Sequence, residues 1–228
     1  MSRMPCVTVL RGDEITDYSD DRGNRIIGTP AVVQPQTQVV FGSDNCTVRF
    51  GEDVNWMTHI YFNDEGGSVE IDDGAQCIGQ LELGRECTVR IGKRLNVTGM
   101  FSVVTEDGCT VEVGDNCLFA DKATIRAYDH HPIFDLDTRE RINIARERIN
   151  IARDVSIGSD VWLGYGVQLM GGARIGHGSV VGTMSIVTAS NPIGDHCLAV
   201  GQPATVKRER IAWAKNGRPP ASHMDPGA

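Results

Sequence analysis

The sequence contains no long hydrophobic run. None of its apolar stretches approaches the roughly 18 to 20 residues that a helix needs to cross a bilayer. The short apolar stretch at residues 5–10 is followed at once by Arg11, Asp13 and Glu14, which is not typical of a signal peptide. We therefore expect no membrane span and a cytoplasmic location.

Positive charge is also scarce. Lys and Arg number 22 against 30 Asp and Glu, so the formal net charge is -8 and the pI is about 5.2. Proteins that bind nucleic acid carry a basic surface, so we expect no nucleic-acid partner. With 40% hydrophobic and 23% charged residues, the composition is typical of a folded globular protein. The 228 residues are enough for one main domain.

The cysteines lack the spacings of metal and redox motifs. Seven are present, but none forms a CxxC or a CxxxxH pair. We interpret them as reduced and mostly buried small residues, and we assign them no chemistry.

What the sequence does contain is a six-residue repeat. Over residues 157–187 an aliphatic residue recurs at every sixth position: Ile157, Leu163, Leu169, Ile175, Val181 and Val187. A small or medium residue follows four positions after each of the first five: Val161, Val167, Ala173, Ser179 and Ser185. Neither a helix nor a flat strand has this period, whereas a triangular solenoid built from hexads does. The aliphatic residue then points inward and the small residue packs near a corner.

The same phase continues upstream with interruptions. Its pairs are Phe50 with Val54, Ile71 with Ala75, Leu83 with Cys87, Val113 with Cys117, and Phe119 with Ala123. Three hexads make one coil, so we predict an all-β solenoid over residues 39–203, interrupted by a loop at 128–154. We expect cap strands at 1–38, a short helix at 204–217 and a flexible tail at 218–228.

The interruption carries a distinctive motif. Asp129-His130-His131-Pro132-Ile133-Phe134-Asp135 is followed by Arg-Ile-Asn and then by Val161-Trp162-Leu163-Gly164. This combination resembles the hexapeptide-repeat acyltransferases, in particular bacterial O-acetyltransferases that modify surface-polysaccharide sugars. It is more distantly similar to galactoside and maltose acetyltransferases. The resemblance implies a left-handed parallel β-helix, and a right-handed β-helix or another solenoid remains the alternative.

The resemblance also implies a chemistry. In such enzymes a histidine takes the proton from a sugar hydroxyl while that oxygen attacks the thioester of acetyl-CoA. Neighbours in an extended chain point to opposite sides, so only one of His130 and His131 is expected to be the base. We favour His131, because Pro132 restricts its backbone and the family's His-Pro step aligns with it. His130 is the alternative, and Asp129 is a candidate orienting or substrate-contacting carboxylate.

The same resemblance suggests the acetyl-CoA contacts. Trp162 takes a position where the family has an aromatic near the active site, and Gly164, Thr183 and Thr188 match positions that contact the pantetheine or thioester. After Thr188 the family often has a Lys followed by an acidic residue, and this chain has Ala189-Ser190. Lys207 and Arg208 are candidates to replace that phosphate contact. A homotrimer is implied by the family and by the flat solenoid faces.

Two other functions are left open. A γ-class carbonic anhydrase shares this solenoid, but it needs two histidines five residues apart, and none here has that spacing, so we expect no metal. A purely structural or binding solenoid would need no histidine loop. We interpret His59 and His177 as surface histidines in turns.

A tandem repeat lies inside the interruption. Residues 139–145, Arg-Glu-Arg-Ile-Asn-Ile-Ala, are repeated identically at 146–152. We predict that one copy is superfluous and bulges outward, because lengthening a surface loop costs only about 0.6 kcal/mol per doubling. A short amphipathic helix is the alternative.

Overall fold

The structure is a computed structural model that describes residues 7–106, 108–128, 133–140, 144–145, 148–149 and 153–215. Its described part is almost entirely β-structure. The N-terminal elements are β1 (Thr8–Arg11), a 3-10 helix (Gly12–Glu14), β2 (Tyr18–Ser19), β3 (Arg25–Ile27), β4 (Val32–Val33) and β5 (Gln38–Phe41). The next strands are β6 (Thr47–Phe50), β7 (Asn55–Phe62), β8 (Ser68–Ile71), β9 (Gln76–Leu83) and β10 (Thr88–Ile91). They are followed by β11 (Asn96–Val97), β12 (Phe101–Val104), β13 (Thr110–Val113), β14 (Leu118–Phe119) and β15 (Ala123–Arg126).

The remaining strands belong to the insertion and to the C-terminal coils. The insertion contains β16 (Ile144–Ala145) and β17 (Arg148–Ile149). The C-terminal strands are β18 (Val155–Ile157), β19 (Trp162–Leu163), β20 (Gln168–Met170), β21 (Arg174–Ile175), β22 (Val180–Val181), β23 (Ile186–Val187), β24 (Leu198–Gly201) and β25 (Ala204–Arg208).

The strands stack into a three-sided parallel solenoid. Face 1 contains β3, β6, β8, β10, β13, β18 and β21. Face 2 contains β4, the first halves of β7 and β9, β11, β14, β19, β22 and β24. Face 3 contains β5, the second halves of β7 and β9, β12, β15, β20 and β23. We call the edge between faces 1 and 2 the first corner, that between faces 2 and 3 the second, and that between faces 3 and 1 the third.

The repeat length of the C-terminal coils is three hexads. Ser156 pairs with Arg174, Trp162 with Val180 and Gln168 with Ile186, so each partner comes eighteen residues later. The predicted inward positions are confirmed, since all six aliphatic residues from Ile157 to Val187 are at most 3% exposed. The small-residue positions are also buried, including Cys87 and Cys117 upstream. Removing these side chains from water is the main stabilising contribution of the fold.

The solenoid begins earlier than predicted. Strand β3 pairs in parallel with β6, β4 pairs with β7, and β5 pairs with β7, so the first coil starts at Arg25 rather than at residue 39. The N-terminal coils are longer than eighteen residues, as in the pairing of Thr47 with Ser68, and this irregularity obscures the hexad phase. Strand β1 runs antiparallel to β5, and the β2–β3 hairpin extends face 1.

The helix expected at 204–217 is wrong. Residues Ala204–Arg208 form β25, which pairs antiparallel with β24, and residues 209–215 are not helical. The physical reason is that β24 ends the stack of face 2, and an unpaired strand edge leaves backbone groups without partners. A returning strand satisfies them and a helix would not. Residues 216–228, including the expected tail, lie outside the described residues.

In the part of the chain that the structure describes, no helix is long and apolar enough to cross a membrane.

Candidate active site

The insertion leaves the solenoid at the third corner. It follows β15 on face 3 and precedes β18 on face 1. Its two ends are held together, because the backbone N–H of Arg153 donates to the carbonyl oxygen of Ala127 at 3.0 Å. Burial and the nearby carboxylates of Glu106 and Glu82 raise the pKa of Tyr128, so its hydroxyl stays protonated at neutral pH. Asp129, His130, His131 and Pro132, which follow directly, lie outside the described residues.

The described tip of the insertion, residues 133–140, contains a tight turn. The Asp135 carboxylate accepts hydrogen bonds from the backbone N–H groups of Asp137 at 2.9 Å and Thr138 at 2.8 Å. These bonds favour the charged carboxylate and lower the pKa of Asp135. Three large apolar side chains around this turn are exposed to solvent: Ile133 is 56%, Phe134 54% and Leu136 88% exposed. Such a cluster is typical of a surface that packs against another chain.

The two heptads of the tandem repeat pair with each other. Strand β16 belongs to the first copy and β17 to the second, and they run antiparallel with Ile144 opposite Ile149. The described part of the repeat is therefore a β-hairpin, and the alternative of an amphipathic helix is wrong there.

Trp162 is the most prominent exposed aromatic on face 2. It begins β19, where it lies between Leu118 of the previous coil and Val180 of the next, and it remains 39% exposed. Its ring packs against Trp213, with centroids 5.8 Å apart and planes inclined by 42°. Its indole N–H has no hydrogen-bond partner among the described residues and is available to a ligand.

Gly164 and Thr183 meet at the second corner. A Cβ atom on Gly164 would lie 2.7 Å from the backbone nitrogen of Thr183, so coil stacking alone requires a glycine there. Thr183 itself is exposed. At the same corner the ammonium of Lys122 lies 5.3 Å from the ring centroid of Tyr165, and a hydrogen bond to that tyrosine raises the pKa of Lys122. The structure therefore groups Trp162, Gly164 and Thr183.

The other predicted donor residues lie elsewhere. Thr188 follows β23 at the third corner, across face 3 from Gly164, where its hydroxyl donates to the Asn191 side chain at 3.4 Å. Lys207 and Arg208 are exposed on β25, with Arg208 opposite Leu198 at the end of face 2. They lie on the same face as Trp162, on the strand next to β24, which is two coils further along than β19.

A groove of about 790 Å³ runs along face 1 and the first corner. None of the predicted site residues lines it. Its floor is a column of glycines that includes Gly114, Gly158 and Gly176, where a Cβ atom would meet the backbone of the next coil at 2.5 to 2.8 Å. Stacking explains this column without a ligand, so we place the candidate site around Trp162 instead.

Cys117 and the isolated histidines are best explained as parts of the fold. Burial raises the pKa of Cys117 to about 12, which suits a packing residue rather than a nucleophile. His59 lies in β7 and not in a turn, half-buried and stacked on Tyr61 with centroids 6.2 Å apart. His177 is exposed in a turn at the first corner, as predicted. Within the described residues no three His, Cys, Asp or Glu side chains are grouped to hold a metal ion.

Sequence reasoning missed Trp213. The only available signal is an aromatic residue in a charged C-terminal segment, and the sequence pattern of that segment favours a helix. Its partners lie more than fifty residues away in the chain, so no local pattern could have identified the contact.

Comparisons with known proteins identify relatives that share the hexapeptide repeat. The family model for the bacterial transferase hexapeptide (six repeats) matches residues 154–189, which include Trp162, Gly164, Thr183 and Thr188. The chain is 36% identical over 150 residues to the polysialic acid O-acetyltransferase of Escherichia coli O1:K1 / APEC. That match covers 66% of this chain and 46% of the relative, so the chain spans about half the length of the curated protein it matches.

Two solved structures resemble the whole solenoid. The polySia-specific acetyltransferase NeuO superposes with a TM-score of 0.66 and 30% identity, covering 86% of this chain and 80% of NeuO. The polysialic acid O-acetyltransferase OatWY has the same TM-score at 24% identity, covering 90% of this chain and 93% of its own, and this likeness supports the fold alone. The predicted left-handed parallel β-helix is thereby confirmed. The hexad repeat and these matches together show that the chain belongs to the hexapeptide-repeat acyltransferases.

Proposed function

We propose that this protein is an acetyl-CoA-dependent O-acetyltransferase that acts on a sugar hydroxyl of a surface polysaccharide or glycan precursor. The observation that carries the proposal is the 30% identity to a polySia-specific acetyltransferase over four fifths of that protein. Polysialic acid is therefore the first acceptor to test. A cytoplasmic location is part of the same proposal.

The reaction requires one general base. His131 takes the proton of the acceptor hydroxyl while that oxygen attacks the thioester carbonyl carbon of acetyl-CoA. The new C–O bond forms, the C–S bond breaks, and the departing sulfur receives the proton from the histidine. No covalent acyl-enzyme is needed, which agrees with cysteines that are buried in the described coils. Asp129 orients the base, and His130 is the alternative base.

The donor site is built around Trp162. Its exposed ring offers an apolar wall to the pantetheine arm, and its indole N–H, which has no partner among the described residues, offers a hydrogen-bond donor. The exposed Thr183 beside Gly164 extends this surface toward the second corner. Lys207 and Arg208, further along face 2, contact the phosphates. Thr188 lies at the third corner, where the insertion starts, so it contacts the donor bound at Trp162 of a neighbouring copy.

The complete site forms between two copies of the chain in a homotrimer. Within one chain the insertion starts at the third corner, whereas Trp162 lies on face 2, with face 3 between them. The exposed Ile133, Phe134 and Leu136 of the insertion would be covered by a neighbouring copy. We propose that His131 of one copy acts beside Trp162 of the next.

Steady-state kinetics of the histidine variants test the proposed chemistry. Release of the CoA thiol is followed with acetyl-CoA and polysialic acid, and thermal melting controls for folding. His131→Ala is expected to lower kcat by about 10²- to 10⁴-fold, the usual contribution of a general base, and His130→Ala is expected to be milder. If His131→Ala retains near-normal turnover and His130→Ala does not, the two roles must be exchanged. If neither variant loses turnover, the histidine mechanism is wrong.

A further inference from the structure

The C-terminal segment after β25 folds back onto the solenoid and ends against the candidate site. Strand β25 fixes its start by antiparallel pairing with β24. The backbone N–H of Ile211 then donates to the carbonyl oxygen of His196 at 2.9 Å. Two residues later the indole N–H of Trp213 donates to the carbonyl oxygen of Asp160 at 2.5 Å. These anchors attach the segment to two turns of the first corner that lie two coils apart, and the second of these turns, at Asp160, is next to Trp162.

Trp213 is held at both ends of its side chain. Its polar end is bonded to Asp160, and its ring packs on Trp162 with centroids 5.8 Å apart. The part-buried hydrogen bond and the aromatic contact together restrict the rotation of the Trp213 side chain. The Trp213 side chain therefore has a fixed position beside the Trp162 ring.

Trp162 has few other constraints. It lies in a strand of only two residues and points outward from face 2, with 39% of its surface exposed. No polar atom of the described chain holds its indole N–H. An exposed side chain that lacks such a contact populates several rotamers. The ring of Trp213 removes this freedom by covering one side of Trp162 and leaving the rest open.

We propose that Trp213 is a positioning residue for Trp162 in acetyl transfer. It fixes the orientation of the Trp162 ring, so that the free indole N–H and the open ring surface face the bound donor. This inference rests on the proposed function, because only that function assigns Trp162 to acetyl-CoA. Reacting groups must be held to within about half an ångström, so a loosened Trp162 slows the reaction even though Trp213 does not touch the substrate.

Fluorine NMR of the full-length protein separates positioning from folding. The chain has three tryptophans, so labelling with 5-fluorotryptophan gives three signals that Trp→Phe variants assign. In Trp213→Leu the Trp162 signal is expected to shift and broaden, and in Trp213→Phe, which keeps an aromatic ring, it is expected to change less. Val206→Ser is the matched control, because Val206 is an exposed apolar residue of β25 opposite Ala199. It is expected to leave the Trp162 signal unchanged.

Kinetics on the same proteins complete the test. Trp213→Leu is expected to lower kcat by about 10- to 100-fold with little change in the KM for the acceptor, and Trp213→Phe is expected to recover most of the loss. An unchanged Trp162 signal in Trp213→Leu, or a lowered thermal midpoint with normal kcat, would overturn the positioning role. A different outcome would overturn the proposed function and this role with it: the wild-type protein transfers no acetyl group, and its Trp162 fluorine signal does not change when acetyl-CoA is added.

Discussion

The imidazole Nδ1 atom of His177 accepts a hydrogen bond from the backbone N–H of Ser159, one coil earlier, at 2.9 Å. The backbone N–H of His177 in turn donates to the Asp195 carboxylate at 2.8 Å. Ser159 and Asp115 form the same link one coil further up, at 3.0 Å. Side chains thus connect successive turns of the first corner.

This link predicts a stability effect for an exposed histidine. His177→Ala removes the acceptor and is expected to lower the free energy of unfolding by about 0.5 to 1 kcal/mol. His177→Asn keeps an acceptor of similar reach and is expected to lower it less. Urea denaturation of the three proteins measures the difference. Equal stability of all three would show that the bond contributes nothing.

The turn between β2 and β3 predicts an acid-sensitive contribution from Asp20. Burial on its own would raise the pKa of this carboxyl, but hydrogen bonds from the Asn24 side chain and from the backbone N–H groups of Asn24 and Arg22 outweigh it and lower the pKa below 3.8. A lowered folded-state pKa stabilises the protein above the unfolded-state pKa, and that stabilisation is lost as the pH falls through the folded value.

Asp20→Asn is therefore expected to lower the thermal midpoint at pH 6, with a deficit that shrinks as the pH falls toward the folded-state pKa of the wild-type carboxyl. Melting curves of both proteins across pH 3 to 7 measure this convergence. Tyr18 contacts Asp20 through its hydroxyl at 3.3 Å, so Tyr18→Phe controls for the loss of one hydrogen bond without a change of charge. A deficit that does not vary with pH would contradict the assignment.

The hexads made the interior of the solenoid predictable. Every inward residue from Ile157 to Val187 obeys one short period, and such a local rule needs no knowledge of the whole fold. The prediction of a C-terminal helix was wrong because the contact that decides the structure there, the pairing of β25 with β24, is not local. The open edge of β24 favours a pairing strand, and the sequence around Val206 does not indicate that this edge will be nearby. Trp213 was missed for the same reason, since its partners Asp160 and Trp162 become neighbours only after folding.

The tandem heptad predicts that one copy can be removed. The insertion is closed by the Arg153–Ala127 hydrogen bond and by the pairing of Val155 with Val111, both outside the repeat. Deleting residues 146–152 is therefore expected to leave the thermal midpoint and the oligomeric state nearly unchanged, since halving a loop changes its closure free energy by only about 0.6 kcal/mol. Differential scanning calorimetry and light scattering measure both quantities.

A second variant separates length from sequence in the repeat. Replacing 146–152 by seven Gly and Ser residues keeps the length and removes the strand that pairs with β16. It is expected to fold as the wild type does. Failure of the deletion variant to fold or to assemble would show that the second copy is structural.

The shared site predicts rescue in mixed oligomers. His131→Ala and Trp162→Asp should each be inactive alone, since each lacks one half of every site. Unfolded and refolded together, they should regain activity, because some interfaces then combine an intact insertion with an intact Trp162. Mixing each variant with itself is the control. Loss of activity with no rescue in verified mixed oligomers would place both residues in the same chain's site.

Transfer of a labelled acetyl group tests the central claim most directly. Wild-type protein is incubated with [1-¹³C]acetyl-CoA and polysialic acid, and the product is examined by carbon NMR and mass spectrometry. A new ester carbonyl signal is expected on the glycan, formed in step with free CoA and abolished in His131→Ala. No ester on polysialic acid or on any other sugar acceptor, with the protein folded and acetyl-CoA intact, would contradict it.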